Sequence, residues 1–311
     1  MGIGQALDRH YFLLRRLHSL SGVVPIGVFL IFHLVTNSSI IWGGLNGRAQ
    51  DPEGTRNFLD RGLATFQHEV NFINELPLVL LLELFVLWIP IAFHSILGIY
   101  YATTGRGNTE RYAYQDNWRY TLQRWSGYIG VVYIFYHVAT LRWGWTWLVP
   151  GGTDWSHYFA SSTLAAALQG SPEGWTIGGV IVSLLYFVGV TAMVFHFANG
   201  LWTAAITWGI TVSAEAQERF KPVCAAIGVA LMGAGWAALL GFMFLTDYEE
   251  AHEIEKQIVI EKYGEAFYRE LSEKYEFDET LGREVTADLA SEPWPSGRTP
   301  DLDDLPPADP E

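Results

Sequence analysis

The sequence predicts an all-α fold, an integral membrane bundle of five transmembrane helices. Five apolar stretches each exceed the roughly 20 residues that a helix needs to cross a hydrocarbon core about 30 Å thick. The composition agrees: half of the 311 residues are hydrophobic and 13 are Trp. Lys and Arg also collect at alternate ends of the stretches, as loops on opposite sides of a membrane require.

The stretches run from Leu20 to Trp42, Leu76 to Ala102, Trp125 to Val149, Thr176 to Val212 and Pro222 to Thr246. The fourth is longer than a span needs, so it is expected to tilt or to project beyond the bilayer. Residues 1–19 are charged and polar without the short apolar core of a cleavable signal, so the first stretch is expected to stay in the membrane. Arg9, Arg15, Arg16, Arg106, Arg111, Arg119, Arg124, Arg219 and Lys221 lie on one side, against Arg48, Arg56, Arg61 and Arg142 on the other. Nine against four puts the N-terminus in the cytoplasm and, after five spans, the C-terminus outside.

The formal charge of −14 belongs to the C-terminal end. Residues 247–311 hold 20 Asp+Glu and 6 Lys+Arg, while residues 1–246 hold 13 of each sign. From Asp247 to Tyr275, apolar Ile254, Ile258, Phe267 and Leu271 among Glu and Lys read as a surface helix interrupted near Gly264. From Asp278 onward the chain is rich in Pro and Asp and too poor in apolar residues to order itself. The chain thus divides into a cytoplasmic N-terminal segment (1–19), a transmembrane domain (20–246) and an acidic extension (247–311), the last expected to be solvated and without chemistry. Nothing in it points to nucleic acid.

His33, His94, His137 and His196 lie one per stretch in the first four stretches. An ionisable group in hydrocarbon is costly and needs a partner or a task. Depth sorts the four. His33 lies 13 residues beyond Leu20 and His137 lies 12 beyond Trp125 on outward-running helices, roughly 18 to 20 Å from the cytoplasmic ends. His94 lies 18 residues after Leu76 and His196 lies 20 after Thr176 on inward-running helices, roughly 27 to 30 Å from the outer ends. Two layers result, His33 with His137 in the outer half and His94 with His196 in the inner half.

A lone membrane histidine is most simply a hydrogen-bond partner between helices. Four that pair by depth suggest two bis-imidazole haem sites, which fill both axial positions and suit electron transfer. Zinc would need about four ligands converging on one point, against the two-layer spread. The single Cys224 excludes an iron–sulfur cluster, covalently attached haem and an intrachain disulfide. Gly98 and Gly200, each four residues after a histidine, are expected to give a macrocycle room, and Pro90 to kink the second helix.

The segments RRLHSLSGVVPIGVFLIFHLVTN (Arg15 to Asn37), PIAFHSILGIY (Pro90 to Tyr100), LQRWSGYIGVVYIFYHV (Leu122 to Val138) and VFHFANGLWTAAITWGITVSAEAQ (Val194 to Gln217) closely resemble a known family. It is the five-helix, di-haem cytochrome b subunit of succinate dehydrogenase, in the class with one large anchor subunit that fumarate reductases share. The resemblance covers about residues 9 to 245. The acidic end and the long aromatic loop from Arg142 to Trp175 are departures from it. It implies that His94 and His196 ligate an inner b haem, and His33 and His137 an outer one. It also implies a flavoprotein and an iron–sulfur subunit as partners, a quinone of the menaquinone type as acceptor, and the cytoplasmic membrane of a prokaryote as location. The dicarboxylate chemistry belongs to the partners, because this chain has no dinucleotide fingerprint and one Cys.

Quinone reduction near the outside would need protons there. His68, Glu69 and Glu75, before the second helix, and Glu83 within it are the candidate proton donors. Arg142 is a candidate propionate partner for the outer haem, and Arg15, Arg16 and His18 for the inner haem. His10, His157 and His252 read as titratable surface groups. Arg106, Arg111 and Arg119 are candidate contacts for the iron–sulfur partner. Two other readings compete: a di-haem cytochrome b subunit of a hydrogenase or formate dehydrogenase, and a haem-free anchor or proton relay, which would be colourless.

Overall fold

The computed structural model describes residues 9–46, 54, 56–105 and 117–275. Arg48, Arg106, Arg111 and the Pro- and Asp-rich end of the chain lie outside the described residues. The described residues are helical with no strand. The helices are α1 (Tyr11–Asn37, jointed at Val24), α2 (Ser39–Asn46), α3 (Phe58–Asn74), α4 (Val79–Thr104), α5 (Asn117–Leu141), α6 (Ala160–Gln169), α7 (Ile177–Thr207), α8 (Ala214–Leu245), α9 (Tyr248–Tyr263) and α10 (Glu265–Tyr275).

Helices α1, α4, α7 and α8 are long and apolar enough to cross a membrane. At 25 residues α5 is also long enough, about 37 Å, but it opens on polar turns with Arg119 and Arg124. Large apolar side chains such as Phe32, Phe85, Ile96, Val132, Ile181 and Val229 stand exposed on these helices, the surface that lipid would cover. α7 packs against α1, α5 and α8; α1 packs against α4, and α4 against α5. The chain α1–α4–α5–α7 therefore closes on itself around a common interior, with α8 laid over the α1 and α7 side.

Pro90, expected to kink its helix, follows an irregular turn. A π-helical turn, Glu83–Trp88, stands just before it in α4, so the widened turn absorbs the hydrogen bond that proline cannot make. A second π turn, Gly241–Leu245, ends α8.

The segment between α5 and α7 is more than a loop. The third apolar stretch stops being helical at Leu141, and Trp143, Trp145 and Trp147 form an aromatic turn with adjacent ring centroids 5.5 and 5.9 Å apart. Such rings suit the polar boundary of a membrane, which is why the apolar run outlasts the helix. Then α6, a run of Ala and Ser, is buried along most of its length. Its first turn is satisfied from two directions. Gln67 on α3 accepts from the Ala160 N–H at 3.0 Å, and Glu255 on α9 accepts from the N–H groups of Ser161 (2.5 Å) and Ser162 (3.3 Å) and from the Ser162 hydroxyl (2.5 Å). At its other end Gln169 donates to the carbonyls of Met243 and Thr246. α6 thus joins α3, the end of α8 and the start of α9 into a cap on the bundle end where α1 and α8 finish.

The opening turns of the acidic extension are packed rather than solvated: Ala251, Ile254, Glu255 and Val259 are buried. The described residues up to Val259 form one compact unit and those from Ile260 to Tyr275 belong to a second. In the second, Gly264 (φ +89°) takes the left-handed conformation that ends α9, and α10 follows with an Arg269–Glu265 pair at 3.4 Å.

Candidate functional site

The four intramembrane histidines stand in two facing pairs. The rings of His94 (α4) and His196 (α7) have centroids 6.1 Å apart and planes crossing at 82°. Those of His33 (α1) and His137 (α5) are 5.7 Å apart, also at 82°. Two imidazoles trans across one metal ion, each nitrogen about 2 Å from it, would hold their centroids roughly 6.3 Å apart. Both pairs are close to that spacing. Among the described residues no three His, Cys, Asp or Glu side chains are grouped so that they could hold a metal ion together.

The protonation of the inner pair follows from its partners. Nδ1 of His94 lies 3.0 Å from the carbonyl oxygen of His18, and Nδ1 of His196 lies 3.1 Å from that of Gln123. A carbonyl can only accept, so each Nδ1 carries the hydrogen and each Nε2 keeps a lone pair. That is the arrangement in which an imidazole serves as a metal ligand, oriented by a second hydrogen bond. Ser21 and Ser126 donate to the same two carbonyls, at 2.8 and 3.1 Å. Glycine completes each cradle: a Cβ at Gly22 would press on the His94 ring, and one at Gly127 would meet Cε1 of His196 at 3.1 Å.

In the outer pair, His137 packs beside Tyr133 and Tyr186, with the Tyr186 hydroxyl 3.4 Å from Nδ1. His33 stacks on Phe29 at 5.2 Å. The glycines singled out from spacing do something else. A Cβ at Gly98 would meet Nε2 of His18 at 3.2 Å, and one at Gly200 would meet Nε2 of Gln123 at 3.6 Å. The glycines touching the His94 and His196 rings are on the neighbouring helices, in the pattern of a carbonyl acceptor, two residues, Ser and Gly at His18 to Gly22 and Gln123 to Gly127.

One known protein is similar to this chain along most of its length. The succinate dehydrogenase cytochrome b558 subunit of Bacillus subtilis (strain 168) is 34% identical over 237 residues, which cover 75% of this chain and 97% of that protein. The chain belongs to the succinate dehydrogenase cytochrome b subunit family. No family model and no solved structure matches it.

In this cytochrome b subunit the H-F-A-N-G-L-W run has a physical reading. Asn199 accepts from Arg119 at 2.9 Å and donates to Gln123 at 2.8 Å, and Trp202 lies under Arg119, 4.4 Å from guanidinium to ring, and donates to the Gln217 carbonyl. Arg119 is therefore engaged within the bundle. The motif braces α5 against α7 beside His196.

The other candidates are dispersed. His68 and Glu69 lie on α3 in the cap, His68 exposed, and Glu75 sits at the C-terminal end of the same helix. Glu83, at the start of the π turn, receives Arg142 through Nε (3.1 Å) and Nη2 (2.9 Å), an ion pair that spacing did not reveal. Arg15 donates to the Tyr11 hydroxyl at 2.6 Å, and Arg16 lies over Trp208. His18 stacks on His94. His157 and His252 are not simple surface groups. Burial, and then Arg142, holds His157 down at about 4, and its carbonyl accepts from Gln67 at 2.7 Å. His252 stacks between Phe159 and Tyr248, with its pKa lowered by burial.

Proposed function

We propose that this chain is the di-haem membrane anchor of a succinate:quinone oxidoreductase. It would take electrons from an iron–sulfur subunit, pass them through an inner site at His94 and His196 and an outer site at His33 and His137, and deliver them to a quinone, of the menaquinone type by resemblance. A b haem held by each histidine pair would supply a one-electron couple suited to electron transfer. The observation that carries the reading is the spacing of the two crossed imidazole pairs, with the inner Nδ1 atoms tied to carbonyls.

The chain's own residues would do the following. His18 and Gln123 orient the inner ligands through their carbonyls. Arg15, Arg16 and His18 at the inner end, and Arg142 at the outer end, are the propionate partners proposed. Glu83, held by Arg142, and the cap residues His68, Glu69 and Glu75 are the proton-donor candidates for quinone reduction. The cytoplasmic end would be the one carrying Arg15, Arg16, Arg119 and Arg124, and it would meet the iron–sulfur and flavoprotein subunits; the cap of α3, α6 and α9 would then face outside.

The test is a reduced-minus-oxidised optical spectrum of the purified complex with haem counted per chain. Two b haems are expected. A folded, colourless protein would overturn the assignment in favour of a haem-free anchor. Succinate-dependent quinone reduction by the same complex separates this reading from a subunit of a hydrogenase or formate dehydrogenase.

A further inference from the structure

The position three residues before the cradle serine is His18 on α1 and Gln123 on α5, and the two side chains behave differently. Gln123 is used through its polar atoms: its Nε2 donates to the His196 carbonyl at 3.1 Å and its Oε1 accepts from Asn199 at 2.8 Å. His18 is used through its plane. Its ring lies face to face with His94, centroids 4.0 Å apart and only 12° from parallel, while its own Nε2 is buried without a hydrogen-bond partner. Leaving a buried nitrogen unpaired is costly, so hydrogen bonding within the chain does not account for a histidine here. Parallel stacking does.

The surroundings hold that stack in place. Gly98 on α4 leaves room for Nε2 of His18, which a Cβ there would meet at 3.2 Å, and Tyr101 meets the His18 ring edge-on at 5.7 Å and 84°. A Cβ at Gly22, four residues on from His18 on α1, would also collide with the His94 ring. The torsion that turns an imidazole about its own bond is a broad, soft one. The Nδ1–carbonyl bond steers it, and a second ring flat against the first narrows it.

We propose that His18 is a positioning residue for the inner haem ligand, its imidazole plane fixing the rotation of His94 and so the crossed arrangement with His196. This rests on the reading of His94 and His196 as one haem's ligands. The backbone carbonyl of residue 18 remains in every variant, so substitution isolates the ring. H18F keeps a flat ring and removes the nitrogens; H18Q keeps a hydrogen-bonding group and removes the plane; H18A removes both.

The experiment is low-temperature electron paramagnetic resonance of the oxidised complex, with a redox titration of both haems and haem counted per chain, in the parent and the three variants. The parent with two haems, and H94L with one, establishes the underlying reading; a parent without an inner haem fails that reading rather than this one. The outer haem's unchanged signal reports that each variant is folded. The expected result is that the inner low-spin resonance shifts and broadens, with a displaced midpoint potential, in H18A and H18Q, and stays close to the parent in H18F. An inner signal unchanged in H18A overturns the proposal. So does H18F disturbed while H18Q is silent, which would assign the effect to Nε2 and a propionate.

Discussion

Ser21 and Ser126 occupy equivalent places on two helices. The hydroxyl of Ser21 is 3.3 Å from Nδ1 of His94, and that of Ser126 is 3.2 Å from Nδ1 of His196. Each is followed by a glycine on which the ligand ring rests. α1 and α5 therefore do two things apiece: each carries one histidine of the outer pair and the cradle for one histidine of the inner pair. Gly22 to His33 is 11 residues and Gly127 to His137 is 10, so the helix rise alone separates the layers by about 15 to 17 Å.

Adding a methyl group to a cradle should disturb one layer only. Gly22→Ala forces carbon into the His94 ring, an overpacking that typically costs about 1–3 kcal/mol. The inner haem should be lost or displaced, with the outer haem intact in the optical spectrum. Gly127→Ala, whose nearest contact is 3.1 Å, should act in the same direction but less. Gly233→Ala, with nothing within 4 Å, is the control and should leave the spectrum unchanged. A normal inner haem in Gly22→Ala would contradict the cradle.

Replacing a ligand should follow the pairs. His33→Leu and His137→Leu should each remove the outer haem, and His94→Leu and His196→Leu the inner one, taking haem per chain from two to one. Extraction and counting check this. Loss of the same haem from His33→Leu and His94→Leu would break the pairing.

The helical bundle and the pairing of its four histidines were legible in the sequence because hydrocarbon imposes simple rules. Span length, charge side and the cost of buried histidines are all visible residue by residue. The cap was not legible. α6 is made of Ala and Ser, whose pattern carries no apolar stripe, and its burial depends on Gln67 and Glu255, which lie 93 residues away on either side. The Ser-Gly cradles were written in the sequence, but Ser and Gly in membrane helices ordinarily signal close packing, and only the position of the facing histidine gives them another meaning. The Glu83–Arg142 pair likewise joins residues 59 apart on different helices.

Glu83→Gln separates folding from chemistry. The pair is partly exposed, 41% for Arg142 and 23% for Glu83, so its contribution to stability is about 1 kcal/mol or less. Haem content and thermal midpoint should change little. A large fall in quinone reduction with both haems present would then assign Glu83 to proton delivery, whereas unchanged turnover would remove it from the candidates.

Glu255 gives the cap a pH dependence. Its carboxyl is fully buried, and burial raises it to about 7 against the opposing pull of the Ser161 and Ser162 donors. Tyr248 on the same helix is itself pushed up by burial and then by Glu255. A carboxyl raised in the docked state favours docking when protonated. The stabilisation is fully present below the ordinary carboxyl range and is lost as pH rises through about 7, a change of about 3 kcal/mol. Protection of residues 251–259 from hydrogen exchange, measured relative to the intrinsic rate at each pH, should therefore fall as pH rises from about 5 to about 8. Glu255→Gln, which is neutral at every pH and keeps an acceptor for the α6 N–H groups, should abolish that trend and protect the segment better than glutamate at pH 8. Protection that stays flat with pH in the parent, or a Gln variant less protected than the parent at pH 8, would show that the buried carboxylate holds the cap in its ionised form.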